Sequence, residues 1–281
     1  MTVKAVQQFM LRKELASEKR ARNTLRLMKE CGYDGIELNG FMIKKVSLFV
    51  RMLTALAGMG VGNCGAFDWN RLTQEYGLKV VALHEDMGSI TNSPDGVAKD
   101  AEKVGTDTVV LTGMFRYDYT KDESVKRLCE RLNRAGKSMK ERGLDFLYHN
   151  HNCEFVRTDG GKRPIDLILR ETDPEFVGFE FDSYWAADAG ADCTGIMRSI
   201  GERMKLYHIN DRVSLAKGTA SSILKSDGTE LGMGNMNLQE LVKVAKECKV
   251  RAVILESHRN FADNSAVRSL QISSRFMNEN V

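Results

Sequence analysis

Short runs of Val, Ile, Leu and Phe alternate along this chain with longer stretches of helical periodicity. Each run follows a glycine or a charged turn and ends on a polar residue. The first covers residues 3–10, and a helical stretch over 18–31 follows it. Gly35 leads into Ile36-Glu37-Leu38, and further runs cover 77–84, 107–112, 143–149, 177–182, 205–209 and 251–256. Between them the pattern predicts helices over 94–104, 123–142, 165–171, 194–202 and 238–248, with a last one over 265–277. Leu238, Leu241, Val242, Val244 and Ala245 share one helical face, as a helix packed on a sheet requires. Near-continuous apolar runs are the signature of parallel strands buried on both faces. Eight β-then-α units in 281 residues predict an α/β chain folded as a (β/α)8 TIM barrel, one domain over residues 1–281. A doubly wound open sheet is disfavoured, because no G-x-G-x-x-G follows the first strand. Two connections are long: residues 41–70 after strand two, rich in Met, Leu and Val, and residues 213–237 after strand seven, rich in Gly, Ser, Lys and Asp. Such segments serve as lids or specificity elements, or, for 41–61, as a packing helix or subunit contact.

All five histidines stand at or just past the end of an apolar run: His84, His149, His151, His208 and His258. If the runs are parallel strands of one sheet, the imidazoles gather at one rim. That rim, at the carboxyl ends of the strands, is where α/β proteins bind ligands.

Composition narrows the partners. Lys and Arg number 41 against 38 Asp and Glu, and no basic run marks a nucleic-acid arm. No apolar stretch approaches a membrane span. Residues 1–13 show no cleavable signal pattern, and the six cysteines are isolated. Together these predict reduced thiols in a cytoplasmic protein acting on a small molecule.

Acids converge with the histidines. Glu37 ends strand two, and His84-Glu85 ends strand three. His149-Asn150-His151 with Glu154 follows strand five, and Asp182 ends strand six. His208 with Asp211-Arg212 belongs to strand seven, and Glu256 with His258-Arg259 to strand eight. Burying so many acids together is costly without a cation. Mixed oxygen and nitrogen donors suit Mn²⁺, Zn²⁺ or Co²⁺.

Gly35-Ile36-Glu37, Leu83-His84, Tyr148-His149-Asn150-His151, Phe181-Asp182-Ser183-Tyr184-Trp185, Tyr207-His208-Ile209-Asn210-Asp211 and Leu255-Glu256 resemble the sugar phosphate isomerase/epimerase superfamily. This is the xylose isomerase-like TIM barrel group that includes tagatose epimerases and inosose dehydratases. The resemblance spans the chain in order. It implies a divalent metal, Mn²⁺ first, with Zn²⁺, Co²⁺ or Mg²⁺ as alternatives, held by Asp182, His208, Glu256 and one further ligand. The epimerases carry a Glu where this chain has His149. Either His149 is the ligand or Glu154 supplies the carboxylate; Glu154 is preferred because it keeps the set hard, and His149 and His151 are then free as bases.

The chemistry so implied is proton abstraction beside a carbonyl, with His151 as base and His149 as its partner. The outcome is isomerisation, epimerisation or β-elimination. Glu37, His84, Trp185, Arg212 and His258 are the candidates for holding substrate. Few rim cations beyond Arg212 and Arg259 argue for a neutral sugar. The His-Asn-His branch resembles inosose dehydratase-like proteins and the large subunit of bacterial C-glycoside deglycosidases, which cleave a 3-oxo-glucoside with a small β-sandwich partner subunit. An oligomer is expected. The competing readings are a non-catalytic sugar-binding or structural subunit and an abasic-site endonuclease, which would want a basic groove.

Overall fold

The computed structural model describes residues 2–44, 65, 67–114, 116–216 and 222–281. Eight parallel strands close into a barrel. They are β1 (Val3–Gln7), β2 (Gly35–Asn39), β3 (Lys79–Glu85), β4 (Thr108–Leu111), β5 (Asp145–His149), β6 (Gly178–Asp182), β7 (Met204–Ile209) and β10 (Ala252–Leu255). Strands β8 (Asp211–Leu215) and β9 (Lys225–Thr229) form a separate antiparallel hairpin between β7 and β10. The predicted (β/α)8 barrel is the fold observed, each strand close to its expected position.

Helices wrap the outside. They are α1 (Glu18–Glu30), α2 (Gly40–Ile43), α3 (Trp69–Glu75), α4 (Met87–Asn92), α5 (Pro94–Val104), α6 (Asp122–Lys140), α7 (Pro164–Glu171), α8 (Ser183–Asp188), α9 (Cys193–Ile200), α10 (Leu238–Glu247) and α11 (Ala266–Asn280). The first strand is shorter than predicted: Gln7 caps a 3-10 turn over Gln8–Leu11 by accepting from Phe9 N–H, which ends the strand. The long connection after β7 carries the hairpin, which its Gly- and Ser-rich composition hid. Residues 45–61 of the other long connection lie outside the described residues. No helix among the described residues is long and apolar enough to cross a membrane.

Alternation along the strands explains the position of the site. Outward residues such as Ile36, Leu38, Phe146, Tyr148, Phe179, Phe181, Tyr207 and Leu255 pack under the helices in the large core. Inward residues change character from one end of the barrel to the other. Ala5, Ala82, Val110, Leu147, Leu206, Ala252 and Ile254 fill an apolar floor. Two residues further along the same faces stand His84, His149, His208 and Glu256, all buried. The same period puts Glu180 and Asp182 on one face of β6. A packed floor with polar side chains above it is the arrangement by which this barrel presents chemistry at its carboxyl end.

Candidate active site

His149, Asp182, His208 and Glu256 come together at that end. Each offers a ligand-capable atom, and these atoms lie within 4.8 Å of one another. Register sets the group: Asp182 lies beside His208 on the neighbouring strand, and His208 beside Ile254, two residues below Glu256. Asp182 is held by its Oδ1, which accepts from Tyr184 N at 2.7 Å and Trp185 N at 3.3 Å as the N-cap of α8. Its Oδ2 faces His208 Nδ1 at 3.9 Å, and Glu256 Oε2 lies 3.1 Å from the same nitrogen.

A second tier sits beneath. Glu37 Oε2 is 2.7 Å from His208 Nε2 and 3.1 Å from His84 Nε2. Glu180 Oε2 is 2.9 Å from His84 Nε2, 2.9 Å from His149 Nδ1 and 3.3 Å from His208 Nε2. Glu37, His84, Glu180 and His208 form a group whose ligand-capable atoms also lie within 4.8 Å. Their charges oppose burial. Burial and the Glu180 charge push Glu37 up. Burial opposes the charge on Glu180 too, but His208 and His84 hold it well below the usual carboxylate range. His84 would be driven down by burial, yet Glu37 and Glu180 raise it to about 10. In the upper group, burial and neighbouring Glu256 push Asp182 well up. Burial lowers His149 despite Glu180, and His208 adds to that.

These features fit a divalent cation. Two buried carboxyls, one of them pushed up by the other's charge, stand beside two imidazoles and form a mixed donor set that a cation would neutralise. His149, Asp182, His208 and Glu256 would hold it. Among the described residues Glu154 belongs to neither group. Its Oε1 accepts from Tyr148 Oη at 2.5 Å, and its Oε2 from His151 N at 2.9 Å and Cys153 Sγ at 3.1 Å. The Glu154 carboxylate bonds within the turn after β5, and among the described residues the strand-five side chain beside Asp182, His208 and Glu256 is His149. Glu37 and His84, expected among the substrate contacts, lie buried in the lower tier.

The remaining candidates ring the mouth. His151 packs edge-on to His149 at 4.9 Å between ring centroids and lies 5.7 Å from Trp185. Burial, then His149, lower its pKa to about 4. Trp185 continues to His258 at 6.2 Å, and His258 to Phe9 at 6.1 Å. His258 Nε2 stands 3.6 Å from Glu256 Oε2. Arg212 pairs with Asp188 at 2.8 Å and lies over the Tyr184 ring at 4.5 Å, with its buried Nη1 unpartnered. A cavity of about 190 Å³ opens beside Trp185 and His258, lined also by Tyr184, Asn210, Asp227 and Arg259. A larger cavity, about 400 Å³, lies at the opposite end of the barrel, by the strand starts at Asp145, Gly178 and Lys205, away from the imidazoles.

Two roles escaped the sequence reading. Asn150 bridges strand ends, donating to Asp182 O at 3.0 Å and accepting from Asp182 N at 2.9 Å. Glu180 was detectable as a carboxylate two residues before Asp182 in a buried strand, and so on the same inward face.

A closed parallel barrel of eight strands flanked by helices, with buried acids and imidazoles at its carboxyl end, is a (β/α)8 TIM barrel. The chain belongs to the xylose isomerase-like TIM barrel family, whose model matches residues 25–278. It is 25% identical over 230 residues to an inosose dehydratase of Mesomycoplasma hyopneumoniae strain J, covering 77% of this chain and 67% of that protein. The fold matches a sugar phosphate isomerase/epimerase from Parabacteroides distasonis with TM-score 0.77 and 22% identity, over 98% of this chain and 92% of that one. It also matches the IolI protein with a bound zinc atom, with TM-score 0.69 and 16% identity, over 100% and 98% of the two chains.

Proposed function

We propose that this protein is a divalent-metal-dependent lyase that dehydrates a cyclic keto polyol of the inosose type. The observation that carries the reading is the convergence of His149, Asp182, His208 and Glu256 beside a half-buried His151. A divalent cation held by those four would polarise the substrate carbonyl and acidify the neighbouring C–H. His151, neutral at neutral pH because burial lowers it, accepts that proton on a ring nitrogen. The electron pair left on carbon forms a double bond as the β C–O bond breaks. His258, beside Glu256 at the mouth, is placed to give the departing hydroxyl its proton, so that water leaves. Arg212 Nη1 would hold a substrate oxygen, and Trp185 would cover a ring face. The inosose dehydratase relatives favour elimination over simple isomerisation. Zn²⁺ and Mn²⁺ are the candidate ions, because the donor set mixes two carboxylates, which suit Mn²⁺, with two imidazoles, which suit Zn²⁺.

A second reading is C-glycoside cleavage of a 3-oxo-glucoside, in which a carbon-linked aglycone leaves instead of hydroxide. One observation favours it: the 190 Å³ cavity beside Trp185 and His258. It is smaller than a typical ligand site of about 300–1,000 Å³ and suits a single additional ring. The test is a panel of inososes, 3-keto sugars and 3-oxo C-glucosides, supplied to Mn²⁺- and Zn²⁺-loaded protein and read by mass spectrometry. Loss of one water from an inosose supports the first reading, and release of a free aglycone the second. An unchanged panel with metal bound refutes both.

A further inference from the structure

Each ring of His149 and His208 has two nitrogens, and only one of each pair can serve a cation. The partner of the other nitrogen decides which. The lower tier supplies those partners, and backbone geometry aims them there. The register between β2 and β3 shifts between Ile36 and Glu37, and that between β6 and β7 shifts between Phe179 and Glu180. Both irregularities fall at the carboxylates. Such shifts re-aim a side chain relative to regular pairing. Glu37 and Glu180 are both fully buried, and on each the Oε1 has no hydrogen-bond partner. Their Oε2 atoms are shared among imidazole nitrogens.

We infer that Glu37 and Glu180 are positioning residues that fix the tautomers of His208 and His149, so that His208 offers Nδ1 and His149 offers Nε2 to the cation. This rests on the metal-dependent reading above. For His208 the geometry is two-sided. Nε2 meets Glu37 at 2.7 Å, and Nδ1 turns to Glu256 at 3.1 Å and Asp182 at 3.9 Å. A proton kept on Nε2 leaves the Nδ1 lone pair facing the upper group. For His149 the order reverses. Nδ1 meets Glu180 at 2.9 Å, so a proton there leaves the lone pair on Nε2. The carboxylate also makes each imidazole a stronger donor, as outer partners of metal-bound histidine do. His84 stacks on His208 at 5.8 Å, with its Nε2 near both carboxylate oxygens, and so fixes the spacing of the pair.

The experiment titrates Co²⁺ into whole protein by chelator competition, following the visible ligand-field bands, for wild type, Glu37→Gln, Glu37→Leu and Glu180→Gln. One ion per chain is expected throughout. Glu37→Gln and Glu180→Gln should weaken binding about 10–100-fold and shift the bands. Glu37→Leu should bind more weakly than Glu37→Gln, because the Gln carbonyl still accepts from Nε2–H. Nitrogen-15 spectra of cadmium-loaded wild type read the tautomers without any substitution, and should show metal on His208 Nδ1 and His149 Nε2. The opposite nitrogens, unchanged affinity and bands in both Gln variants, or two ions per chain would overturn the inference. A wild type that binds no ion removes the functional reading as well; a wild type that binds one ion beside unaffected variants removes only the positioning role.

Discussion

The sharpest stability prediction concerns Asp211, at the start of the hairpin. It is fully buried, and its carboxylate gathers four backbone N–H groups. Oδ1 accepts from Arg212 at 2.8 Å and Met236 at 3.2 Å, and Oδ2 from Gly232 at 3.0 Å and Gly234 at 2.9 Å. A hydrogen bond to a charged acceptor contributes about 1.5–3 kcal/mol, so four would sum to about 6–12 kcal/mol. The donors are half-buried, and water recovers part of that in Asp211→Ala, leaving a loss of about 3–5 kcal/mol. Asp211→Asn should be nearly as damaging, at about 2–4 kcal/mol. Its oxygen can keep one pair of donors, but its NH₂ then points at the other pair, where donor meets donor. At about 2–4 °C per kcal/mol for chains of about this size, the Asn variant should melt at least about 4 °C below wild type. Gly234→Ala should break the same clamp, because its Cβ would lie 2.3 Å from Asp211 Oδ1 and 2.4 Å from the Arg212 carbonyl oxygen. The double variant should then lose less than the sum of the two. Urea melts of wild type and the four variants provide the assay. An Asp211→Asn variant within about 0.5 kcal/mol of wild type would refute the reasoning, as would full additivity with Gly234→Ala.

Other outcomes follow from the site. His149→Ala should weaken metal binding more than about 100-fold, beyond the range of outer partners. Glu154→Gln should leave metal affinity unchanged and cost about 1–3 kcal/mol, from lost bonds to Tyr148, His151 and Cys153; equal metal loss in both variants would restore Glu154 as a ligand. His151→Ala should cut turnover about 10²–10⁴-fold with metal still bound, and retained turnover would remove it as the base. Asp227 supplies a pH signature away from the cation group. Burial would raise it, but Gly228 N–H, Asn260, Tyr184 and Arg259 outweigh that and hold it at about 2, below an ordinary value of about 3.9. Its contribution is therefore complete above about pH 4 and lost as pH falls toward 2. The stability gap between wild type and Asp227→Asn should close over that window, and a constant gap would contradict the assignment.

The barrel was legible because its strands are buried on both faces, and such strands announce themselves as apolar runs. The histidines located the rim for the same reason, since a polar residue ending an apolar strand has few places to point. The hairpin after β7 was not legible: Lys225-Ser226-Asp227-Gly228-Thr229 has no apolar face, and its order comes from pairing with β8 and from the Asp211 clamp. The expectation that Glu154 is a ligand rests on its hardness, and hardness carries no direction. Three residues after His151 its carboxylate turns back onto the His151 backbone N–H. Division of the rim into two tiers also escaped the sequence, because strand ends alone do not show which inward residue sits one layer deeper. Counting back two residues from Asp182 to Glu180 would have shown it.

The central claim is that a cation on His149, Asp182, His208 and Glu256 works with His151 to remove a proton beside a carbonyl. Solvent deuterium exchange measures this directly. Protein loaded with one equivalent of Mn²⁺ or Zn²⁺ and incubated with an inosose in D₂O should place deuterium at the carbon next to the carbonyl. Chelated protein and metal-loaded His151→Ala should not. Loaded wild type that exchanges no C–H in any cyclic ketone of the panel would contradict the account.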